Sequence, residues 1–152
     1  MLTAHIVFAT ITGNSEEIAD ILADRLAVRG VAVQETEISQ TDAYEFIQSD
    51  LLIASIYTYD QGKLPEESLD FCADLQTLKL TNKIYGVTGS GDKYYGQYYN
   101  IAVDQFAELF EKLGAQAGTA RLKIELEPDE QDIEDLDRFA HNLVWTANNR
   151  QK

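Results

Sequence analysis

Short apolar runs alternate with amphipathic stretches along the chain, and the two patterns predict different elements. His5-Ile6-Val7-Phe8-Ala9 is continuous rather than alternating, as in a parallel strand covered on both faces. Ile18, Ile21, Leu22, Arg25 and Leu26 then recur at spacings of three and four, which predicts a helix. Glu16 and Glu17 fall in its first turn, where carboxylates meet the positive end of the helix dipole, and Gly30 is a stop signal. Residues 31–38 read as a second strand, 39–49 as a loop with one helical turn, and Leu51-Leu52-Ile53-Ala54-Ser55-Ile56 as a third strand buried on both faces.

Pro65 is expected to open the next helix, at a position that needs no backbone donor. That helix should reach about Leu78, with Leu69, Cys72 and Leu75 or Gln76 on its inner face. Residues 83–88 form the fourth strand and 89–99 a long, turn-rich loop. A helix over about 99–113 carries Val103, Phe106, Phe110 and Leu113 as its stripe and ends at Gly114. Leu122, Ile124 and Leu126 alternate as a fifth strand. Pro128 should start the last helix, with Ile133, Leu136, Ala140, Leu143 and Val144 facing inward.

Strand–helix alternation of this kind predicts an α/β fold: a three-layer α/β/α sandwich around a parallel sheet. The common five-stranded solution has the order 2-1-3-4-5, with ligands bound beyond the carboxyl ends of the strands, where strands 1 and 3 diverge. No linker, repeat or low-complexity stretch interrupts the 152 residues, so a single domain over 1–152 is expected. The loops 10–15, 57–64 and 89–99 meet at the switch point, and they are the loops of least ordinary composition.

Charge and composition narrow the chemistry. The net charge is −14, which opposes nucleic acid and anionic membranes and favours cationic partners. Cys72 is the only cysteine, so neither an internal disulfide nor a thiolate zinc site is expected, and His5 and His141 lack metal-ligand spacing. No apolar stretch is long enough for a transmembrane helix and no signal peptide is visible at the N-terminus, so the expected compartment is the cytoplasm. His5 and Cys72 read as core residues, and Trp145 as packing on the last helix or lying at its frayed end.

Thr10-Ile11-Thr12-Gly13-Asn14-Ser15 joins a buried strand to a helix start. Free backbone N–H groups there suit an anion. The threonine and serine hydroxyls and the Asn14 amide add neutral donors, and Gly13 permits close approach. The loop has neither the lysine of a triphosphate-binding loop nor the three glycines of a dinucleotide fold. An ordinary helix cap would use the same residue types, so this loop alone leaves a phosphate site and a plain cap both open. Beside it, six of the eight tyrosines fall in two loops: Tyr57 and Tyr59, then Tyr94, Tyr95, Tyr98 and Tyr99. Phenol faces stack on flat rings. Gly62, Gly89 and Gly91 let the backbone turn in toward a ring edge, and Ser90 and Asp92 shape that turn. A flat heteroaromatic ring bearing one phosphate would fit all three loops.

The chain resembles the short-chain flavodoxins over essentially its full length. The resemblance is carried by Thr10 to Ser15, by Tyr57-Thr58-Tyr59-Asp60-Gln61-Gly62, and by Gly89-Ser90-Gly91-Asp92 with Tyr95. It implies one non-covalent FMN, with its phosphate on residues 10–15 and its ring between Tyr59 and Tyr95. It also implies a carrier of single electrons between a reductase and acceptor enzymes, without a substrate of its own; a monomer is the default expectation. The alternatives on this fold are an FMN-dependent quinone or flavin reductase and a specialised redox activator. A phosphoacceptor receiver domain would need aspartates that Phe8-Ala9-Thr10 and Ser55-Ile56-Tyr57 lack.

The chain departs from the family pattern where many relatives read aromatic-Gly-Asp-Gly, since here the run is Tyr59-Asp60-Gln61-Gly62. Lys63 and Lys93 add positive charge to the same two loops. These changes predict a second reduction potential less negative than in relatives with Gly-Asp, and a less stable neutral one-electron form. Replacing Asp60→Gly together with Gln61→Asp should move both potentials in a spectroelectrochemical titration; unchanged potentials would overturn the expectation.

Overall fold

Every residue of the third strand, Leu51–Ser55, is buried, because helices cover the sheet on both sides. The computed structural model describes residues 1–58 and 62–150. Among these, β1 is Thr3–Phe8, α1 Asn14–Ala27, β2 Ala32–Glu37, α2 Ala43–Phe46, β3 Leu51–Ser55, α3 Leu69–Leu75 and β4 Ile84–Gly91. Then follow α4 Ile101–Lys112, β5 Gln116–Ala117, β6 Leu122–Glu125 and α5 Glu130–Asn149. The sheet is parallel throughout, in the order β2-β1-β3-β4, with β5 and β6 both pairing with β4 in the fifth place. This is the expected α/β/α sandwich with order 2-1-3-4-5.

Alternation along β1 divides the core. Ala4 and Ile6 pack on the side of α1 and α5, with Leu22, Leu26, Phe139 and Leu143. Val7 packs on the other side, with Phe46, Phe71, Leu75, Phe106 and Phe110. His5 is buried on that second side, its ring centroid 5.3 Å from that of Phe46, and its Nε2 lies 2.7 Å from Thr36 Oγ1. Cys72 is buried, and burial pushes its thiol up to about 11.

Several boundaries differ from the sequence expectations. The fifth strand is broken: residues 118–121 separate β5 from β6, and both segments keep to the edge of β4. Across this break Asp104 of α4 binds Arg121 and Lys123, at 2.9 and 2.6 Å. Pro65 does not open an α-helix. It precedes a 3-10 turn, Glu66–Ser68, and the α-helix is confined to Leu69–Leu75. The inner face of that helix is Phe71, Cys72 and Leu75, while Leu69 is exposed. The last helix starts at Glu130 rather than Pro128, because Asp129 and Asp132 form a reciprocal cap there. Ile133 lies in its first turn and is exposed, as is Trp145 further along. The fourth strand runs on to Gly91, three residues past its expected end.

Candidate functional site

The first loop closes on itself. Gly13 takes a left-handed conformation, φ 93°, and donates its N–H to Thr10 Oγ1 at 2.8 Å. Helix α1 therefore begins without a side-chain cap, and its first regular bond runs from Glu17 N–H to the Gly13 carbonyl at 2.9 Å. The N–H groups of Asn14, Ser15 and Glu16 are left for an acceptor above the helix. Ser15 is buried under this end: its carbonyl accepts the Ser55 hydroxyl at 2.7 Å, and its Oγ lies 3.4 Å from the Ser90 N–H.

The second loop is fastened to its neighbours. The Tyr57 hydroxyl donates to Glu67 at 2.6 Å, and Thr58 Oγ1 accepts the N–H of Ala102 in the first turn of α4 at 3.0 Å. Tyr59, Asp60 and Gln61 lie outside the described residues. At Gly62, φ is 86°, and an added Cβ would come within 3.0 Å of both Tyr98 and Ile101. Its carbonyl accepts from Gln105 Nε2 at 3.1 Å.

The third loop grows out of β4 and is held to the end of β6. Ser90 Oγ donates to the Leu126 carbonyl at 2.6 Å, and the Leu126 N–H returns a bond to the Gly91 carbonyl at 2.8 Å. Asp92 accepts the Tyr94 N–H at 2.9 Å and so starts the 3-10 segment Lys93–Tyr98, which kinks at Gly96. The rings of Tyr94 and Tyr95 meet edge to face at 5.5 Å, and both are exposed, by 86% and 58%. Lys93 Nζ stands 5.8 Å from the Tyr99 ring centroid. Burial, together with the carboxylates of Glu125 and Asp132, pushes the Tyr99 phenol up against an opposing hydrogen bond from Asn100.

These loops enclose a cavity of about 420 Å³ at the carboxyl ends of β1, β3 and β4. Of the sequence-predicted residues, Thr10, Ile11, Thr12, Asn14, Ser15, Tyr57, Thr58, Ser90, Gly91, Asp92, Tyr95 and Tyr98 line it. Gly13, Gly62 and Gly89 do not: Gly13 shapes the turn, Gly62 lies under Tyr98, and Gly89 lies against the Ile56 carbonyl. Asn100 and Leu126 line the cavity as well; the sequence does not single out Asn100, and marks Leu126 only as a position of the fifth strand, although it lies one residue past β6. Both have left-handed backbones, φ 52° and 54°, like only Asn82 among the other described non-glycine residues. For Asn100 a signal existed, since an asparagine directly before an apolar-periodic stretch marks a helix start. For Leu126 there was none.

No lysine, arginine or histidine lines the cavity among the described residues. The donors are neutral, and the one large exposed ring surface is phenolic. An uncapped helix start beside an accessible tyrosine face, in a space of this size, suits a phosphate joined to a flat ring.

A family model described as Flavodoxin matches residues 6–138. A short-chain flavodoxin associated with a non-canonical PDU bacterial microcompartment superimposes with a TM-score of 0.95 at 56% identity, covering 97% of this chain and 99% of that one. The flavodoxin of Streptococcus pneumonia TIGR4 does so with a TM-score of 0.91 at 46% identity, over 95% and 99%. The probable flavodoxin 1 of Bacillus subtilis (strain 168) is 33% identical over 147 residues, 95% of this chain and 92% of that protein. The chain belongs to the flavodoxin family, small FMN-binding electron carriers.

Proposed function

We propose that residues 1–152 act as one domain that holds a single FMN non-covalently and passes single electrons from a reductase to acceptor enzymes. The observation that carries this reading is the joining of an uncapped helix start to the exposed phenol ring of Tyr95 in one cavity. The N–H groups of Asn14, Ser15 and Glu16, with the hydroxyls of Thr10, Thr12 and Ser15 and the Asn14 amide, hold the phosphate. Tyr95 supplies one face for the ring, and Tyr59 is assigned the other from sequence. The backbone from Gly89 to Asp92, with Tyr98, borders the ring edge. Bound FMN supplies the one-electron redox chemistry, and the chain supplies placement and exclusion of water.

The acidic surface selects basic partner faces and accelerates encounter with them. The protein works as a cytoplasmic monomer without a substrate of its own. Titration of apoprotein with FMN should give one yellow, saturable equivalent. An NADPH-consumption assay with a quinone present should show no turnover until a flavodoxin reductase is added. A folded apoprotein that binds no FMN would overturn the cofactor site, and turnover without the reductase would overturn the carrier role.

A further inference from the structure

Asn100 is fully buried where the chain enters α4, with a left-handed backbone, φ 52°. Its Nδ2 donates to the Ile124 carbonyl at 3.0 Å. A carbonyl only accepts, so this bond fixes which end of the amide is oxygen. Oδ1 is then a buried acceptor with no hydrogen-bond partner among the described residues. Folded proteins rarely keep such a group, and keeping it on a strained backbone is an outlier that points to a role.

Gly91 supplies the geometric reason. A Cβ at position 91 would stand 2.8 Å from Asn100 Oδ1, 2.9 Å from its Cγ and 3.2 Å from its backbone N. The bare oxygen therefore faces the side of Gly91 that carries no side chain. The amide is wedged between the end of β4 and β6, and both residues line the cavity.

We infer that Asn100 is a positioning residue for the flavin site, matched to Gly91. The amide ties β6 to the entrance of α4, and its oxygen packs against the Gly91 backbone. This sets how far the Gly91–Asp92 backbone stands from the tyrosines that precede α4. The inference rests on the proposed FMN site and adds to it a side chain that acts through the backbone of residue 91.

A double-mutant cycle on the full chain tests the pairing. FMN affinity is read by flavin fluorescence, the fold of the apoprotein by circular dichroism, and the midpoint potential of bound FMN by spectroelectrochemistry. Asn100→Ala should weaken FMN binding about tenfold and shift the potential, while Gly91→Ala should weaken it more. The double variant should bind no worse than Gly91→Ala alone, because removing Cγ and Oδ1 makes room for the new Cβ. If Asn100→Ala does not fold, Asn100→Gly, which accepts the left-handed backbone without strain, carries the same cycle. Single-variant effects that multiply in the double, or an Asn100 variant within twofold of the parent, would overturn the pairing. A parent protein that takes up no FMN would instead overturn the site on which it rests.

Discussion

The carbonyl oxygen of Ile56 occupies the space that a side chain on Gly89 would need: an added Cβ would lie 1.9 Å from it. The carboxyl ends of β3 and β4 thus approach closely, directly beneath the cavity. The obstacle is backbone, so no rotamer change relieves it. Gly89→Ala should cost about 3 kcal/mol, the upper part of the range for overpacking, and should weaken FMN binding. Gly13→Ala is the contrast: nothing lies within 4 Å of its Cβ, and only its φ of 93° resists the substitution. It should cost about 1 kcal/mol, a purely conformational penalty. Denaturant unfolding of both apoproteins checks the ordering.

That contrast shows what sequence could and could not reveal here. The order of elements and the two-sided burial of β1 and β3 were readable, because uninterrupted apolar runs such as Leu51 to Ala54 have few other uses. The three loops were readable as well, because hydroxyl-rich and tyrosine-rich stretches are unusual at strand ends. The separate jobs of the glycines were hidden, since Gly62 and Gly89 answer to Tyr98 and to Ile56, contacts distant in sequence. The break between β5 and β6 was hidden too, because so short an interruption leaves no period to detect. Leu126, an apolar residue in a left-handed turn at the cavity wall, contradicts its own propensity. Its bonds to Ser90 and Gly91 hold it there.

Tyr95 is more than half exposed, and its ring meets that of Tyr94 edge to face. Its removal should leave the apoprotein within about 0.5 kcal/mol of the parent, as for other surface sites. Loss of stacking should weaken FMN binding roughly tenfold, since aromatic pairs contribute about 0.5–1.5 kcal/mol beyond area burial. Thermal unfolding and FMN titration of Tyr95→Ala test the two halves separately. A large loss of apoprotein stability would mean that the ring serves the core instead.

Glu35 on β2 stands beside Asp20 and Glu16 of α1. Burial first, then a hydrogen bond and repulsion from Asp20 and repulsion from Glu16, raise its carboxyl from 4.5 to about 8. Between those values the folded chain holds a proton that the unfolded chain has released, so stability falls as pH rises through the window. Glu35→Gln removes the titration, and its stability profile should be flatter from about pH 5 to 8 while remaining equal to the parent at the acid end. Urea midpoints measured across that range decide it, and parallel profiles for the two proteins would refute the assignment.

The cavity proposed to take the phosphate has no cation in its described lining, within a chain of net charge −14, and Glu16 and Glu17 stand in the first turn of α1. Local N–H donors attract the phosphate at short range, whereas the overall field repels it at long range. Salt shortens the reach of that field from about 30 Å at 0.01 M to about 3 Å at 1 M, while bonds made at contact are screened far less. The association rate of FMN with the apoprotein should therefore rise several-fold, on the order of fivefold, between low and high ionic strength. Riboflavin, which lacks the phosphate, should show almost no change. Stopped-flow quenching of flavin fluorescence at a series of salt concentrations separates the two ligands. A rate for FMN that fell with salt would mean that cations outside the described lining, Lys63 or Lys93 among them, govern the approach.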